Sequence, residues 1–164
     1  MGRGVLFGVA MVLGLAGPLL AFTGVVAADP TAVQVGGLMV ALAGFAVTLA
    51  AQTGMGTSWR IGVDPAERTD LVTTGALFGA VRNPVFSAMV AAQLGVVLMV
   101  PTWVSVLALA ALVAAVQIQV RCVEEPYLQS AHGAAYTEYA SRTGRFVPGL
   151  GRLPAGTGVT SRPA

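Results

Sequence analysis

The chain has 164 residues, enough for one domain. Hydrophobic residues make up 55% of it and charged residues only 10%, against about 25% in a typical soluble domain. This composition excludes an ordinary soluble protein and indicates an integral membrane protein. The net charge is only +2, and no basic run is interleaved with aromatic residues, which argues against a nucleic-acid partner.

Residues that commonly bind metals are scarce. Cys122 is the only cysteine and His132 the only histidine, so the chain can form neither an internal disulfide nor a cysteine-rich metal site. A zinc or iron centre would have to consist mostly of carboxylates, which is not the usual ligand set of these metals. We therefore expect no metal.

Four apolar segments, at about residues 4–28, 31–53, 84–100 and 102–122, predict four transmembrane helices. The first also looks like a secretory signal, but its length favours a retained helix. Only Pro101 separates the third from the fourth, which predicts an antiparallel hairpin. Asn83 is a suitable N-cap and Pro84 a suitable first residue for the third helix. Frequent glycines in these segments indicate close helix packing rather than ligand binding.

The arginines predict the orientation. The connection between the second and third helices carries Arg60, Arg68 and Arg82, whereas the connection after the first carries no arginine. The positive-inside rule therefore places both termini and this loop in the cytoplasm. Residues 123–147 are predicted to form short amphipathic helices on the membrane, and 149–164 a disordered tail. The predicted fold is thus an all-α integral membrane protein, with a single domain over residues 1–148.

A polar stripe follows the last apolar segment. Gln117, Arg121 and Glu125 are spaced four apart, and Glu124 is three beyond Arg121, so a regular helix presents them on one face. We expect Arg121 to pair with Glu125, and Pro126 to kink or end the helix at Glu125. An interfacial salt bridge, worth less than about 1 kcal/mol when exposed, and a functional site are both open interpretations.

Several short motifs occur in a definite order: Gly75, Arg82-Asn83-Pro84-x-Phe86, an apolar hairpin, Arg121-x-x-Glu124-Glu125-x-x-Leu128, Gly133-x-x-Tyr136-x-x-Tyr139, and Arg145-Phe146-Val147-Pro148. Their order and spacing, over about residues 52–148, resemble the isoprenylcysteine carboxyl methyltransferase and phospholipid methyltransferase superfamily of integral membrane enzymes. Two positions differ from the usual family pattern, since Asn83 replaces a histidine and Phe86 a tyrosine. Neither residue can take a proton-transfer role, because asparagine does not titrate and phenylalanine has no hydroxyl.

The resemblance implies methyl transfer from S-adenosylmethionine to a lipophilic acceptor in the membrane, with the carboxylate of an isoprenoid-like or other lipid favoured. It implies catalytic roles for Arg121, which would orient the acceptor, and for Glu125, which would hold Arg121. The residues that it implies for cofactor binding are Arg82, Asn83, Phe86, Glu124, Glu125, Tyr136 and Tyr139. The expected location is the plasma membrane, with the active site on the cytoplasmic side.

Other interpretations of the same residues remain open. Arg82 also fits a positive-inside anchor, and the three tyrosines fit the aromatic belt of a membrane interface. A four-helix membrane scaffold or a small transporter subunit is the alternative to an enzyme, although a transporter is expected to carry ionisable groups within its spans. Asn83 and Phe86 also leave open a family member that has lost its activity.

Overall fold

The computed structural model describes residues 31–55, 71 and 73–154. These residues form five α-helices and no strand. The helices are α1 (Ala32–Met55), α2 (Ala76–Ala80), α3 (Pro84–Met99), α4 (Trp103–Gln119) and α5 (Glu125–Arg142), with a π-helical turn at Val120–Glu124 between the last two. The predicted first helix, at 4–28, and the arginines at 60 and 68 lie outside the described residues.

Glycines join α1 to α3. Buried Gly37, Gly44 and Ala51 recur every seven residues, which places them on one face of α1. A Cβ atom on Gly37 would lie 2.7 Å from the Gly95 carbonyl oxygen, and one on Gly44 would lie 2.6 Å from the Ala92 nitrogen. The contacts move backwards along α3 as they move forwards along α1, so the two helices are antiparallel. The interpretation of the glycines as packing residues is confirmed for Gly37 and Gly44.

The predicted antiparallel hairpin of α3 and α4 is confirmed. Its connection is short, and Thr102 caps α4 by accepting a hydrogen bond from the Ser105 backbone N–H at 3.2 Å. Phe86 near the start of α3 packs against a buried cluster in the second half of α4 and the residue after it, formed by Leu112, Val116 and Val120. The start of one helix therefore meets the end of the other. With α1 on one face and α4 on another, α3 lies between them.

Two helices in the described part of the chain are long and apolar enough to cross a membrane. One is α1, and the other is the continuous helix Trp103–Arg142, which contains α4 and α5. Because about 20 residues cross a bilayer, α5 extends beyond the span predicted at 102–122. The 16 residues of α3 rise only about 24 Å, less than the apolar thickness of about 30 Å. The prediction of four spans is thus supported for two of them.

The helix does not end before Pro126. Proline removes one helical hydrogen bond and its ring collides with the carbonyl four residues earlier, which here belongs to Cys122. The π-helical turn at Val120–Glu124 accommodates that conflict, so the chain continues directly into α5. Helical geometry breaks later instead, at Gly133, where φ is +51° and ψ is −120°. Glycine adopts a positive φ without the penalty that a Cβ atom brings.

The chain turns back after α5. The Leu153 backbone N–H donates to the Ala140 carbonyl at 3.0 Å, and its side chain packs against a buried cluster of Tyr136, Tyr139 and Ala140. Part of the segment that the sequence assigns to the tail, residues 149–154, is thus held against α5 through Leu153. The remainder of the predicted tail lies outside the described residues.

Candidate functional site

The Arg82 side chain is the centre of the polar contacts. It stands two residues before α3 and its side chain is only 2% exposed. Its Nη1 donates to the carbonyls of Ala140 at 2.8 Å and Thr143 at 2.7 Å. Its Nη2 donates to Glu125 Oε1 at 2.7 Å and to the Gly151 carbonyl at 3.1 Å. A side chain with these partners is a buried junction rather than an anchor exposed at the membrane surface.

Glu125 joins Arg82 to a second arginine. The Arg145 Nε donates to Glu125 Oε1 at 2.8 Å, and its Nη2 donates to Oε2 at 2.8 Å, so this pair is bidentate. We refer to Arg82, Glu125 and Arg145 as the charged cluster. With two guanidinium groups and one carboxylate, the cluster carries a formal charge of +1.

The cluster keeps Glu125 ionised. Burial alone would raise the pKa of its carboxyl group, but hydrogen bonds from Arg145 and Arg82 and the charges of both arginines outweigh that effect. The pKa of Glu125 therefore lies below its ordinary value of 4.5. In turn, the hydrogen bonds to Glu125 raise the pKa of Arg145. Both carboxylate oxygens accept hydrogen bonds from the arginines, so the main role of Glu125 is to link distant parts of the chain.

Backbone contacts fix where the cluster forms. The N–H groups of Arg82 and Asn83 donate to the carbonyls of Gly144 at 2.8 Å and Arg145 at 3.2 Å. The Asn83 side chain donates from Nδ2 to the same Arg145 carbonyl at 3.1 Å. Asn83 occupies the N-cap position of α3, as predicted, but its side chain makes no capping bond. The segment after α5 is thereby held against the start of α3.

Two of the predicted aromatic residues lie against the cluster. Tyr136 is 1% exposed and Tyr139 8%. Their rings meet edge to face at 6.5 Å, and the Tyr139 hydroxyl donates to the Phe78 carbonyl at 2.6 Å. Burial raises the pKa of each phenol to about 12. These two tyrosines are therefore buried side chains and not members of an interfacial belt. Phe86, the third predicted aromatic residue, is half-buried against α4.

The expected pair of Arg121 and Glu125 does not form, so this prediction is wrong. Arg121 is exposed, and its Nε donates to Gln117 Oε1 at 2.9 Å. The four-residue spacing brings two side chains together on an α-helix, but the π-helical turn at Val120–Glu124 changes the register between them. Glu125 is instead directed to Arg82 and Arg145, which come from distant parts of the chain.

Glu124 differs from its neighbour. It is half-buried, and its Oε1 accepts one long hydrogen bond, of 3.4 Å, from Gln119 Nε2. Burial raises the pKa of Glu124, the Gln119 bond lowers it and the adjacent Glu125 charge raises it, so that the pKa lies above its ordinary value. Of the two adjacent carboxylates, Glu125 is held by two arginines and Glu124 by an amide alone.

Arg145 is the residue that the sequence prediction missed. The available signal was its place in Arg145-Phe146-Val147-Pro148, one of the motifs of the family pattern. Gly144 just before it is required for the turn, because a Cβ atom there would meet the backbone of Val147 and would lie 2.8 Å from the Gly149 nitrogen. This turn brings Arg145 back to Glu125.

The donors and acceptors fit a cofactor that carries both signs of charge. Arg82 Nε is buried and makes no hydrogen bond of its own in the described part of the chain, although the Tyr136 side chain interacts with the Arg82 guanidinium, and Glu124 has no guanidinium partner there. The same residues thus offer a buried N–H donor and a half-buried carboxylate close in sequence to Glu125. Among the described residues, no group of three or more histidine, cysteine, aspartate or glutamate side chains is arranged to hold a metal ion.

Comparison with known proteins identifies a family. The profile of the phospholipid methyltransferase family matches residues 31–135, more than half of the chain. No curated protein and no solved structure gives a significant match. The matched residues contain α1 to α4 and the Arg82 and Glu125 members of the charged cluster. The chain, with its apolar helices, therefore belongs to the phospholipid methyltransferase family, within the superfamily of membrane methyltransferases that includes the isoprenylcysteine enzymes.

Proposed function

We propose that the protein transfers a methyl group from S-adenosylmethionine to a lipophilic acceptor held in the membrane. The observation that carries this proposal is the charged cluster, a set of buried and partly buried groups with a formal charge of +1 at the polar end of an apolar hairpin. Such groups are costly beside a bilayer and commonly mark a functional site. Family membership supports a methyltransferase acting on lipid-type substrates.

The cofactor supplies a methyl group on a sulfonium, together with an ammonium and a carboxylate. We assign the ammonium to Glu124 rather than Glu125, because both oxygens of Glu125 are taken by the arginines. We assign the carboxylate to Arg82 Nε and the Asn83 amide. The ring of Phe86 is assigned to the sulfonium or the adenine, an interaction that aromatic faces favour for cations.

We assign a supporting role to Tyr136 and Tyr139. Both rings are buried behind the cluster, and Tyr139 is anchored to the Phe78 carbonyl by its hydroxyl. Side chains in this position restrict the movement of Arg82 and so keep its remaining N–H directed at one place. Methyl transfer is a direct displacement, for which alignment of donor and acceptor is the main contribution of the enzyme.

A phospholipid headgroup is the acceptor that the family match favours. The carboxylate of an isoprenoid-like lipid is the second candidate, because exposed Arg121 donates from Nε to Gln117 and can also meet an anion at the surface. We further propose that the site faces the cytoplasm at the plasma membrane. Cysteines introduced at Thr69 and Thr157 in a Cys122→Ser background should then be protected from an impermeant reagent in intact cells.

Calorimetric titration with S-adenosylhomocysteine tests cofactor binding in detergent-purified protein. Glu124→Gln should weaken the affinity by roughly 10-fold, the scale of a lost hydrogen bond to a charged group. Glu138→Gln is the matched control, since Glu138 lies on the surface in a pair with Arg142, and it should bind normally. Incorporation of labelled methyl groups into extracted membrane lipids tests turnover. Absence of both signals would instead support the scaffold.

Cofactor binding without transfer to any lipid class would identify an inactive family member. Transfer to isoprenoid carboxylates alone would reject the phospholipid acceptor and keep the methyltransferase.

A further inference from the structure

The turn at residues 147–150 exposes two large apolar side chains. Val147 is 52% exposed and Leu150 is 66% exposed. Every other exposed large apolar residue in the described part of the chain lies on α1, α3 or α4, the apolar helices, whereas α5 has none. In the polarity of its surface, the turn therefore matches the membrane helices and differs from α5, to which it is connected.

Backbone hydrogen bonds fix the conformation of this turn. The Leu150 N–H donates to the Val147 carbonyl at 3.1 Å, and the Arg145 N–H donates to the Leu150 carbonyl at 2.7 Å. The next carbonyl, of Gly151, accepts a hydrogen bond from Arg82 Nη2 at 3.1 Å. The turn is therefore an ordered part of the fold, and the course of its backbone is what exposes the two apolar side chains.

Phe146, just before the turn, shows where the turn lies along the hairpin. It packs against the buried cluster of α4, and its carbonyl accepts a hydrogen bond from Ser87 Oγ at 2.7 Å. Ser87 is in the first turn of α3. Because about 20 residues cross a bilayer, the span that begins at Trp103 includes the cluster in its second half. Phe146 thus lies beside the apolar hairpin rather than beyond its polar end, and Val147 follows it directly.

The charges around the turn are positive. Arg152 is exposed, and a Cβ atom on Gly149 at the tip would lie 3.8 Å from its Nη2. Arg142 at the end of α5 is exposed as well. No acidic residue follows Glu138 in the sequence. An apolar tip with arginine beside it suits the boundary between acyl chains and anionic headgroups, because the apolar side chains enter the lipid while the guanidinium stays among the phosphates.

We infer that the turn at residues 147–150 inserts Val147 and Leu150 among the lipids of the membrane leaflet nearest the charged cluster, with Arg152 bound to anionic headgroups. The inference does not depend on the proposed methyl transfer. It makes the end of the described chain a second membrane contact, separate from the helices. Since the same segment supplies the Gly151 carbonyl to Arg82, the lipid contact also supports the charged cluster.

Spin labelling of the full-length protein tests the insertion. A nitroxide is attached to Val147→Cys or Leu150→Cys in a Cys122→Ser background, in lipid nanodiscs of phosphatidylcholine with or without phosphatidylglycerol. Collisions with oxygen, which concentrates in the acyl region, are compared with collisions with a water-soluble nickel chelate. The oxygen-to-nickel ratio at both positions should be severalfold higher than at Glu138→Cys, the aqueous control on exposed α5. Leu107→Cys, on the exposed face of α4, supplies the lipid-facing standard.

The charge of Arg152 is tested with the label at Leu150. Phosphatidylglycerol should raise the oxygen-to-nickel ratio there, and Arg152→Gln should abolish that increase. An equal ratio in the two kinds of nanodisc would overturn the assignment of Arg152 to anionic headgroups.

Ratios at Val147 and Leu150 as low as at Glu138 would overturn the insertion. Shielding of both positions from both reagents, with magnetic coupling between labels on different molecules, would assign the turn to a contact between copies of the chain and would also overturn it. Because the two positions are labelled in separate variants, a folding defect in one leaves the other to decide.

Discussion

Along α3 the chain passes from a contact made of buried charges to one made of glycines and alanines. At its start, Arg82 and Glu125 meet at 2.7 Å. Toward the end of α3, backbone atoms of α1 and α3 come close together at Gly37 and Gly44, which have no side chain. We refer to this contact between α1 and α3 as the seam. The cluster is stable because its charged donors and acceptors are paired, whereas the seam can form because its glycines have no Cβ atom. Removal of an atom should therefore damage the first region, and addition of an atom should damage the second.

Glu125→Ala should have the largest effect. It leaves Arg82 and Arg145 without their shared carboxylate, and breaking a buried ion pair costs about 3–5 kcal/mol. Glu138→Ala is the control, because it removes the exposed partner of Arg142, and exposed pairs are worth less than about 1 kcal/mol. The free energy of unfolding in detergent measures both. Equal losses in the two variants would show that the cluster does not stabilise the fold.

Gly44→Ala should have the next largest effect on stability. The added Cβ would lie 2.6 Å from the Ala92 nitrogen and 2.8 Å from the Ala88 carbonyl oxygen, both backbone atoms that cannot rotate away. Overpacking of this kind costs about 1–3 kcal/mol. Gly36→Ala on the same helix meets nothing within 4 Å and should be neutral or slightly stabilising. Thermal unfolding distinguishes them, and a loss at Gly36 as large as at Gly44 would contradict the packing argument.

Acid should weaken the cluster and leave the seam unaffected. The folded pKa of Glu125 is lowered, so its contribution to stability is complete above the unfolded value near 4.5 and disappears as the pH falls through the folded pKa. In the wild type, the midpoint temperature of thermal unfolding should therefore decrease as the pH is lowered below about 4.5. Glu125→Gln should show a smaller fall over the same range, since its side chain does not titrate. Parallel pH profiles for the two proteins would exclude Glu125 as the titrating group.

The hairpin and the packing role of the glycines were predictable from sequence because their causes are local, whereas the pairing of α1 with α3 was not predicted. Apolar runs, Pro84 at a helix start and glycines within the spans each act within a few residues. The cluster was predictable only in part. Arg82 and Glu125 were named, but their partners were not, since Arg145 reaches Glu125 through a turn at Gly144 that no periodic pattern encodes. The error at Arg121 has a different cause, because a spacing of four implies contact only if the helix stays α-helical, and Pro126 imposes a π-helical turn.

Arg121 belongs to neither region, and Arg121→Gln should therefore change stability least. Its side chain is exposed and its Nε bond to Gln117 lies on the surface, where substitutions usually change the free energy of unfolding by less than about 0.5 kcal/mol. We expect normal affinity for S-adenosylhomocysteine and near-normal transfer to phospholipid. Transfer to an isoprenoid carboxylate should fall by about 100-fold, the cost of removing an oriented charge from a reacting group. Because the same preparation reports affinity and both transfers, a fall in phospholipid transfer alone would place Arg121 at the headgroup and return it to the active site.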